Sequence, residues 1–384
     1  MHVVFAHHEP IDAGRARWGA IVRTLAAVAE RAAVTWYTPD TQGRVQEYAV
    51  GQLGLTLPAG LSIRTLPSVH KRAGLTLNRV FFRAFRKALH GSQADVLWLR
   101  GDKLAAYFAR KGTDIPLVYE AHLIGELWAE DRGDTPQRSR RLHELEQRIY
   151  DKAAGVAAIT AGLLDEIRAR FGYHGPAGVV PSGVDTSTFA PVWEGGDGRT
   201  VLWVGTLQFW KGLSTLLEAL AAAPGLRLKV VGGGKAEEQQ RLKADIARLG
   251  IGDRVDLVGR VPQKDIPLHV KSAACAVHSS PPEHAISARF TSPLKVFEYM
   301  AMGLPIVAAD VPSIREVLRD GENARLCQGG NAASLAGALT ELAGDAALAQ
   351  RLSQRAVLDA QAYTYQERAA RLLELFGRVA GAKG

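Results

Sequence analysis

Two cysteines, Cys275 and Cys327, are all that the 384 residues contain. They stand far apart and form no CxxC pair, so they belong in the core of a protein kept in a reducing cytosol and not in a disulfide framework. No apolar run approaches the roughly 18 residues that a membrane span needs. A strand pattern begins at once, from Met1 to Ala6, and leaves no room for a signal peptide. Helix-turn-helix, zinc-ligand and aromatic-basic RNA signatures are missing, which leaves nucleic acid unsupported as a partner. No paired-Asp motif for a metal-bridged nucleotide occurs, and His7-x-Glu9 is no metal site by its spacing, so neither a metal nor another cofactor is expected. Repeats and low-complexity segments are absent as well.

What is present fits two cores. A chain of this length with 47% hydrophobic residues exceeds what a single core usually supports. The excess of 47 Lys and Arg over 39 Asp and Glu favours anionic partners, such as nucleotide phosphates or a bilayer surface. Short apolar runs alternate with helical patterns: Val3 to Ala6, Val96 to Leu99, Leu117 to Tyr119, Val156 to Ile159 and Gly178 to Val180 form one series. Val201 to Gly205, Leu228 to Val231, Val255 to Val258, Cys275 to His278 and Ile306 to Ala309 form a second. Such alternation predicts an α/β protein with two doubly wound parallel sheets. Periodicity lapses between Pro181 and Arg199, where Pro181, Gly183, Pro191, Gly195, Gly196 and Gly198 cluster, so the boundary is expected there. Ligands of open α/β sheets bind outside the carboxyl ends of the strands, which puts the site of a two-domain chain between the domains.

The most informative stretch is Thr291-Ser292-Pro293-Leu294-Lys295-Val296-Phe297-Glu298-Tyr299-Met300-Ala301-Met302-Gly303-Leu304-Pro305-Ile306-Val307. It reads as a polar loop, a helix with a carboxylate one turn in, a Gly stop and a buried strand. Backbone donors at such a helix start face a phosphate, and Glu298 suits a vicinal diol. Upstream, Trp203-Val204-Gly205-Thr206-Leu207-Gln208-Phe209-Trp210-Lys211-Gly212 ends a strand on Gly and reaches a Lys-Gly pair before the next helical pattern. By itself that spacing also fits an ordinary loop with a solvated lysine.

Together these segments resemble the donor-binding part of family-four (group 1) retaining glycosyltransferases, which have the GT-B fold of two Rossmann-like domains facing each other across a cleft. The resemblance is strongest from Val156 to Val317 and faint before Leu117. It implies an N-terminal acceptor-side domain over residues 1–185, a nucleotide-sugar domain over 186–362, and a last helix, 363–384, crossing back to the first domain. It also implies donor-binding roles for Gly205, Thr206, Lys211, Gly259, Arg260, Ser292, Pro293, Leu294, Lys295 and Glu298, with His122, Lys211 and Glu298 as the catalytic set. In this reading Lys211 and the Leu294 and Lys295 amides stabilise a departing diphosphate, Glu298 holds the ribose, and His122, oriented by Glu120, reaches the sugar or the acceptor. His7, Glu9, Gly14, Glu120 and Glu126 are the acceptor-side candidates.

The chain departs from the family pattern in two places. Thr206 stands where relatives often carry Arg, with Lys295 as the substitute cation. Phe290 stands where many carry a first Glu, which leaves ring contacts to the backbone from Thr291 to Leu294, with Glu283 or His284. Gly183 is expected at a positive-φ turn and Thr160 as a hydroxyl facing the cleft. The segment from Thr76 to His90 predicts an amphipathic helix with Arg79, Arg83, Arg86, Lys87 and His90 on one face, extended by Lys71 and Arg72. It is equally an ordinary surface helix and a peripheral contact with the inner face of a membrane.

The expected function is thus a metal-independent, retaining hexosyltransferase of the cytoplasm, acting in cell-envelope glycan or glycolipid synthesis. It would move a sugar from a UDP- or GDP-linked donor to a glycan or lipid-linked hydroxyl acceptor. A sugar-nucleotide epimerase on the same fold, or a non-catalytic nucleotide-sugar-binding protein, is the alternative.

Overall fold

A computed structural model describes residues 1–69 and 78–382. The chain forms two compact units. The first comprises Met1–Ser182 with the tail from Tyr365, and the second is Gly183–Thr364. The expected boundaries lie at 185/186 and 362/363, a few residues from these crossings.

Unit 1 is built on seven strands: β1 (His2–Ala6), β2 (Ala33–Thr38), β3 (Leu61–Thr65), β4 (Val96–Leu99), β5 (Leu117–Ala121), β6 (Gly155–Ala158) and β7 (Ala177–Val179). They form one all-parallel sheet in the order β3-β2-β1-β4-β5-β6-β7. The central strands β1, β4 and β5 are almost wholly buried and read as continuous apolar runs, as strands covered on both faces do. Strands β2 and β3 escape the sequence reading. In β2 buried and partly exposed positions alternate, and the edge strand β3 has no buried residue, so neither offers an unbroken apolar run.

The tail helix Tyr365–Gly381 belongs to this unit. Its buried residues Ala369, Leu372, Leu375, Phe376 and Val379 recur at three- and four-residue spacing and join the core around Trp98, whose ring centroid lies 5.6 Å from that of Phe376. Each large side chain buried in this way contributes about 1.5–3 kcal/mol, so several together hold the tail in place.

The amphipathic helix spans Asn78–Leu89; Lys71, Arg72, Thr76 and Leu77 lie outside the described residues. Phe81, Phe82, Phe85 and Leu89 are buried, while Arg79, Arg83, Arg86 and Lys87 are exposed. No helix among the described residues is long and apolar enough to cross a membrane.

Unit 2 carries β8 (Thr200–Thr206), β9 (Arg227–Gly233), β10 (Val255–Gly259), β11 (Cys275–His278), β12 (Ile306–Asp310) and β13 (Arg325–Gln328). They form a second parallel sheet, ordered β10-β9-β8-β11-β12-β13. The half-exposed edge strand β13 was not expected. In each sheet the order reverses beside the first strand, between β1 and β4 and between β8 and β11. These reversals are where doubly wound sheets hold ligands.

Helix Leu294–Ala301 buries six of its eight residues, and the Tyr299 hydroxyl accepts from the Val204 amide of β8 at 2.9 Å. Gly303, at φ +72°, ends it as the sequence pattern predicts.

Two local expectations are corrected. Thr160 is not an exposed hydroxyl: it is buried, and its Oγ1 accepts from the Leu163 amide at 3.1 Å as the N-cap of Ala161–Phe171. Gly183 is not among the positive-φ glycines.

Candidate active site: a cation, a carboxylate and a supported histidine

In unit 2 the candidate residues gather at the carboxyl ends of β8, β9, β10 and β11. Strand β8 runs into a short 3-10 turn, Phe209–Lys211, and then into helix Leu213–Ala222. Gly212 makes the junction at φ +68°, and a Cβ there would sit 1.6 Å from the Ser279 carbonyl oxygen, so no other residue fits. Ser279 Oγ donates to the Gly212 carbonyl at 2.9 Å and to that of Lys211 at 3.2 Å, which pins the lysine backbone to the end of β11. Gly205 has a packing role: β8 and β9 approach so closely that a Cβ on its partner Gly232 would lie 1.7 Å from the Gly205 carbonyl oxygen.

The Lys211 side chain has no hydrogen-bond or ion-pair partner among the described residues. Burial lowers its pKa, and the nearby Lys295 ammonium lowers it further. Lys211 is half-buried, and a partly desolvated cation without a counter-ion carries a cost that an anionic ligand would relieve. Burial and the Lys211 charge together hold His278, at the end of β11, down to about 4, so its ring is neutral near pH 7.

Glu298 is only 5% exposed. Lys295 Nζ donates to its Oε2 at 2.5 Å, and Gln263 Nε2 to its Oε1 at 3.3 Å. Each carboxylate oxygen keeps a lone pair for a hydroxyl donor. Sequence reasoning missed Gln263; its only signal was its place just after Gly259-Arg260-Val261-Pro262. Lys295, expected to face a phosphate, is spent on Glu298 in this structure. Of the two amides assigned to the diphosphate, that of Leu294 donates to the Ser292 carbonyl at 3.0 Å. Ser292 is buried, and Pro293 occupies the helix N-cap.

Phe290 is completely buried at the end of a π-helical turn, Ile286–Phe290, so packing accounts for the residue where relatives carry Glu. Thr206 is exposed, its Oγ1 donating to Gln208 Oε1 at 3.0 Å. Gly259 and Arg260 line a cavity of about 440 Å³ with Gly232, Gly233, Gly234 and Lys243, a volume that exceeds a nucleobase.

In unit 1, His122 follows β5 and is joined to a buried charged network. Glu120 is fully buried and receives His122 Nε2–H at 2.6 Å, Trp98 Nε1–H at 2.8 Å and the Arg368 guanidinium. Burial pushes the Glu120 pKa up, but Arg368 first, then His122 and Arg100, outweigh it and hold the carboxyl well below its usual range. Burial and Arg100 take His122 down to about 4 against the pull of Glu120. Arg100, at the end of β4, donates to His122 Nδ1 at 3.4 Å; burial lowers its own pKa to about 10, which leaves it charged near neutral pH. Glu120 is therefore a support inside the unit and does not reach an acceptor.

The other acceptor-side candidates have partners of their own. His7 is buried edge-on against Trp18, with ring centroids 4.6 Å apart. Glu9 pairs with Arg17, and the exposed Gly14 donates its amide to Asp12 Oδ1 at 2.9 Å. Glu126 Oε2 accepts from His143 Nδ1 at 2.9 Å and Arg170 Nη1 at 3.1 Å, on the wall of a separate cavity of about 390 Å³. Alternating polar residues in a sequence do not tell which of them pair with one another. Among the described residues no group of three or more His, Cys, Asp or Glu is placed to hold a metal ion.

Both halves of the chain resemble known proteins. Residues 188–358 match the family described as Glycosyl transferases group 1, and residues 19–188 match Glycosyltransferase Family 4. The D-inositol 3-phosphate glycosyltransferase of Thermomonospora curvata is 31% identical, over 73% of this chain and 69% of that protein. The enzyme of the same name from Thermobispora bispora is 30% identical, over 73% and 68%. Among solved structures, sucrose-phosphate synthase from Thermosynechococcus elongatus superposes with a TM-score of 0.80 at 19% identity, covering 99% of each chain. HepE from Anabaena, in complex with UDP-glucose, superposes at 0.70 with 18% identity, covering 97% of this chain and 99% of that one. With both halves matched and relatives of this length and identity, the chain belongs to the group 1 glycosyltransferases and has the GT-B fold.

Proposed function

We propose that the protein is a metal-independent, retaining hexosyltransferase that takes its sugar from a UDP- or GDP-linked donor and passes it to a hydroxyl acceptor. The observation that carries this reading is the half-buried Lys211 side chain, which has no counter-ion among the described residues, in the same unit where Glu298 keeps lone pairs free for a diol. A nucleoside diphosphate supplies both missing partners. The bond from the anomeric carbon to the diphosphate oxygen breaks and the acceptor oxygen takes its place. The acceptor proton passes to the leaving phosphate on the same face, which keeps the anomeric configuration. Lys211 acts on charge that grows as the bond breaks, the point at which electrostatic stabilisation accelerates a reaction.

Lys295 begins the cycle bound to Glu298 and turns to the diphosphate when ribose hydroxyls take over that carboxylate. His122 presents a neutral ring on the acceptor side. The names of the relatives point to phosphorylated inositol as one acceptor used in this family, whereas the fold neighbour HepE binds UDP-glucose. For this chain we place the acceptor in envelope glycan or glycolipid synthesis, at the cytoplasmic face of the membrane. The apolar side of helix Asn78–Leu89 is spent on unit 1, so among the described residues of this segment attachment rests on Arg79, Arg83, Arg86 and Lys87. At about 1 kcal/mol per basic residue near an anionic leaflet, it is weak and lost in high salt.

The test is a calorimetric panel of UDP-, GDP-, ADP- and dTDP-sugars without added metal. Micromolar binding of one of them identifies the base. Silence across the panel, with and without acceptor extracts, would remove the donor site.

A further inference from the structure

We propose that Arg368 is a positioning residue for His122, acting through Glu120. The inference rests on the reading of His122 as the functional group of unit 1. Arg368 lies on the tail helix, three residues after the chain re-enters unit 1 at Tyr365, and is 4% exposed. All three of its nitrogens are engaged. Nε donates to Thr24 Oγ1 at 3.0 Å, Nη1 to the carbonyls of Val180 and Pro181 at 2.6 Å each, and Nη2 to Glu120 Oε1.

This arrangement decides the state of the imidazole. A carboxylate in a dry interior takes up a proton unless a cation faces it, and Arg368 is that cation at ion-pair distance. An ionised Glu120 only accepts hydrogen bonds, so His122 must carry its proton on Nε2, and the lone pair is left on Nδ1. Nδ1 is the nitrogen that Arg100 approaches, and the His122 side chain is 23% exposed. The charged groups that act on the ring are therefore Arg100, Glu120 and Arg368. The Val180 and Pro181 carbonyls lie just before the chain leaves unit 1 after Ser182. One guanidinium thus ties both crossings of the chain to the carboxylate that orients His122. The planar fork makes these bonds in several directions at once, which a lysine cannot copy.

The experiment uses the full chain with 15N-labelled histidine, His122→Asn identifying its ring signals among those of 11 histidines. The wild-type ring is expected as the Nε2–H tautomer, with its protonation midpoint below pH 5. In Arg368→Met, either the protonation midpoint rises by about one pH unit with Glu120 still charged, or the tautomer inverts as Glu120 takes up a proton. Arg368→Lys puts the charge back beside Glu120 without the fork, so it should restore most of the wild-type titration. In the active enzyme kcat falls while the donor KM holds. A folded Arg368→Met with a lower Tm but wild-type ring tautomer and midpoint would overturn the proposal, since a mere brace has that signature. If the Met variant does not fold, Arg368→Gln is read by the same criteria. The ring signals need no sugar transfer, so they decide the role of Arg368 even if the nucleotide panel is silent.

Discussion

Replacing Lys211 by Met tests the donor site from two sides. Methionine keeps the length of the stem and removes the charge. The Lys211 pKa is lowered in the fold below its ordinary 10.5, burial being the main cause. Near pH 7 the side chain is charged in folded and unfolded chains alike, so the cost of that charge falls on the folded state. It is relieved only as pH rises towards 10.5, where the unfolded chain still holds the proton. Lys211→Met removes the cost at every pH, so the Tm of the unliganded protein rises. UDP binding moves the other way: one charge-assisted hydrogen bond contributes about 1.5–3 kcal/mol. At about 1.4 kcal/mol per tenfold, Kd weakens roughly 10- to 150-fold. Differential scanning calorimetry and titration calorimetry on the same preparation read both effects. UDP affinity within twofold of wild type refutes the phosphate role, and a fall in Tm refutes the argument from the uncompensated charge.

Glu298→Gln leaves the side-chain volume unchanged, removes the charge that Lys295 neutralises, and should raise the donor KM about tenfold or more with a Tm near wild type; unchanged kinetics would clear Glu298 of ribose binding. In unit 1, burial raises the Glu146 carboxyl from 4.5 to about 7, against the pull of the Gly125 amide. Its contribution to stability is full below 4.5 and lost as pH rises through 7, so Glu146→Gln should gain about 3 kcal/mol at pH 8 and almost nothing at pH 4.5, at 1.36 kcal/mol per pH unit; equal denaturant midpoint shifts at the two pH values would contradict this. Exhaustive chelation should leave the transfer rate unchanged, and a strict requirement for a divalent ion would overturn the metal-free mechanism.

The donor side was legible because its signals are local. Gly212, Lys211 and the run from Ser292 to Gly303 sit within a few residues of one another, and each obeys a turn, helix-start or helix-stop rule that spacing alone expresses. The helix does start at Leu294, stop at Gly303 and carry a buried Glu298. Gln263 escaped because its partner lies 35 residues away. The acceptor-side candidates carried no such local rule. His7, Glu9 and Glu126 were chosen for chemical type, and the fold gives them Trp18, Arg17, His143 and Arg170 as neighbours. A polar side chain announces what it can bond to, not which neighbour claims it.

By itself, the order of residues determined two parallel α/β sheets, the place of the chain's crossing to within a few residues, and a helix start beside a lysine and a glutamate. Periodicity, glycine and proline act over a few positions and leave their mark in the sequence. Tertiary structure decided what those groups do: that Lys211 lacks a counter-ion among the described residues, that Lys295 is held by Glu298, and that an arginine 248 positions after Glu120 keeps it charged and so fixes the proton on His122. Burial and pairing set those states, and both depend on which distant segments the fold brings within hydrogen-bond reach.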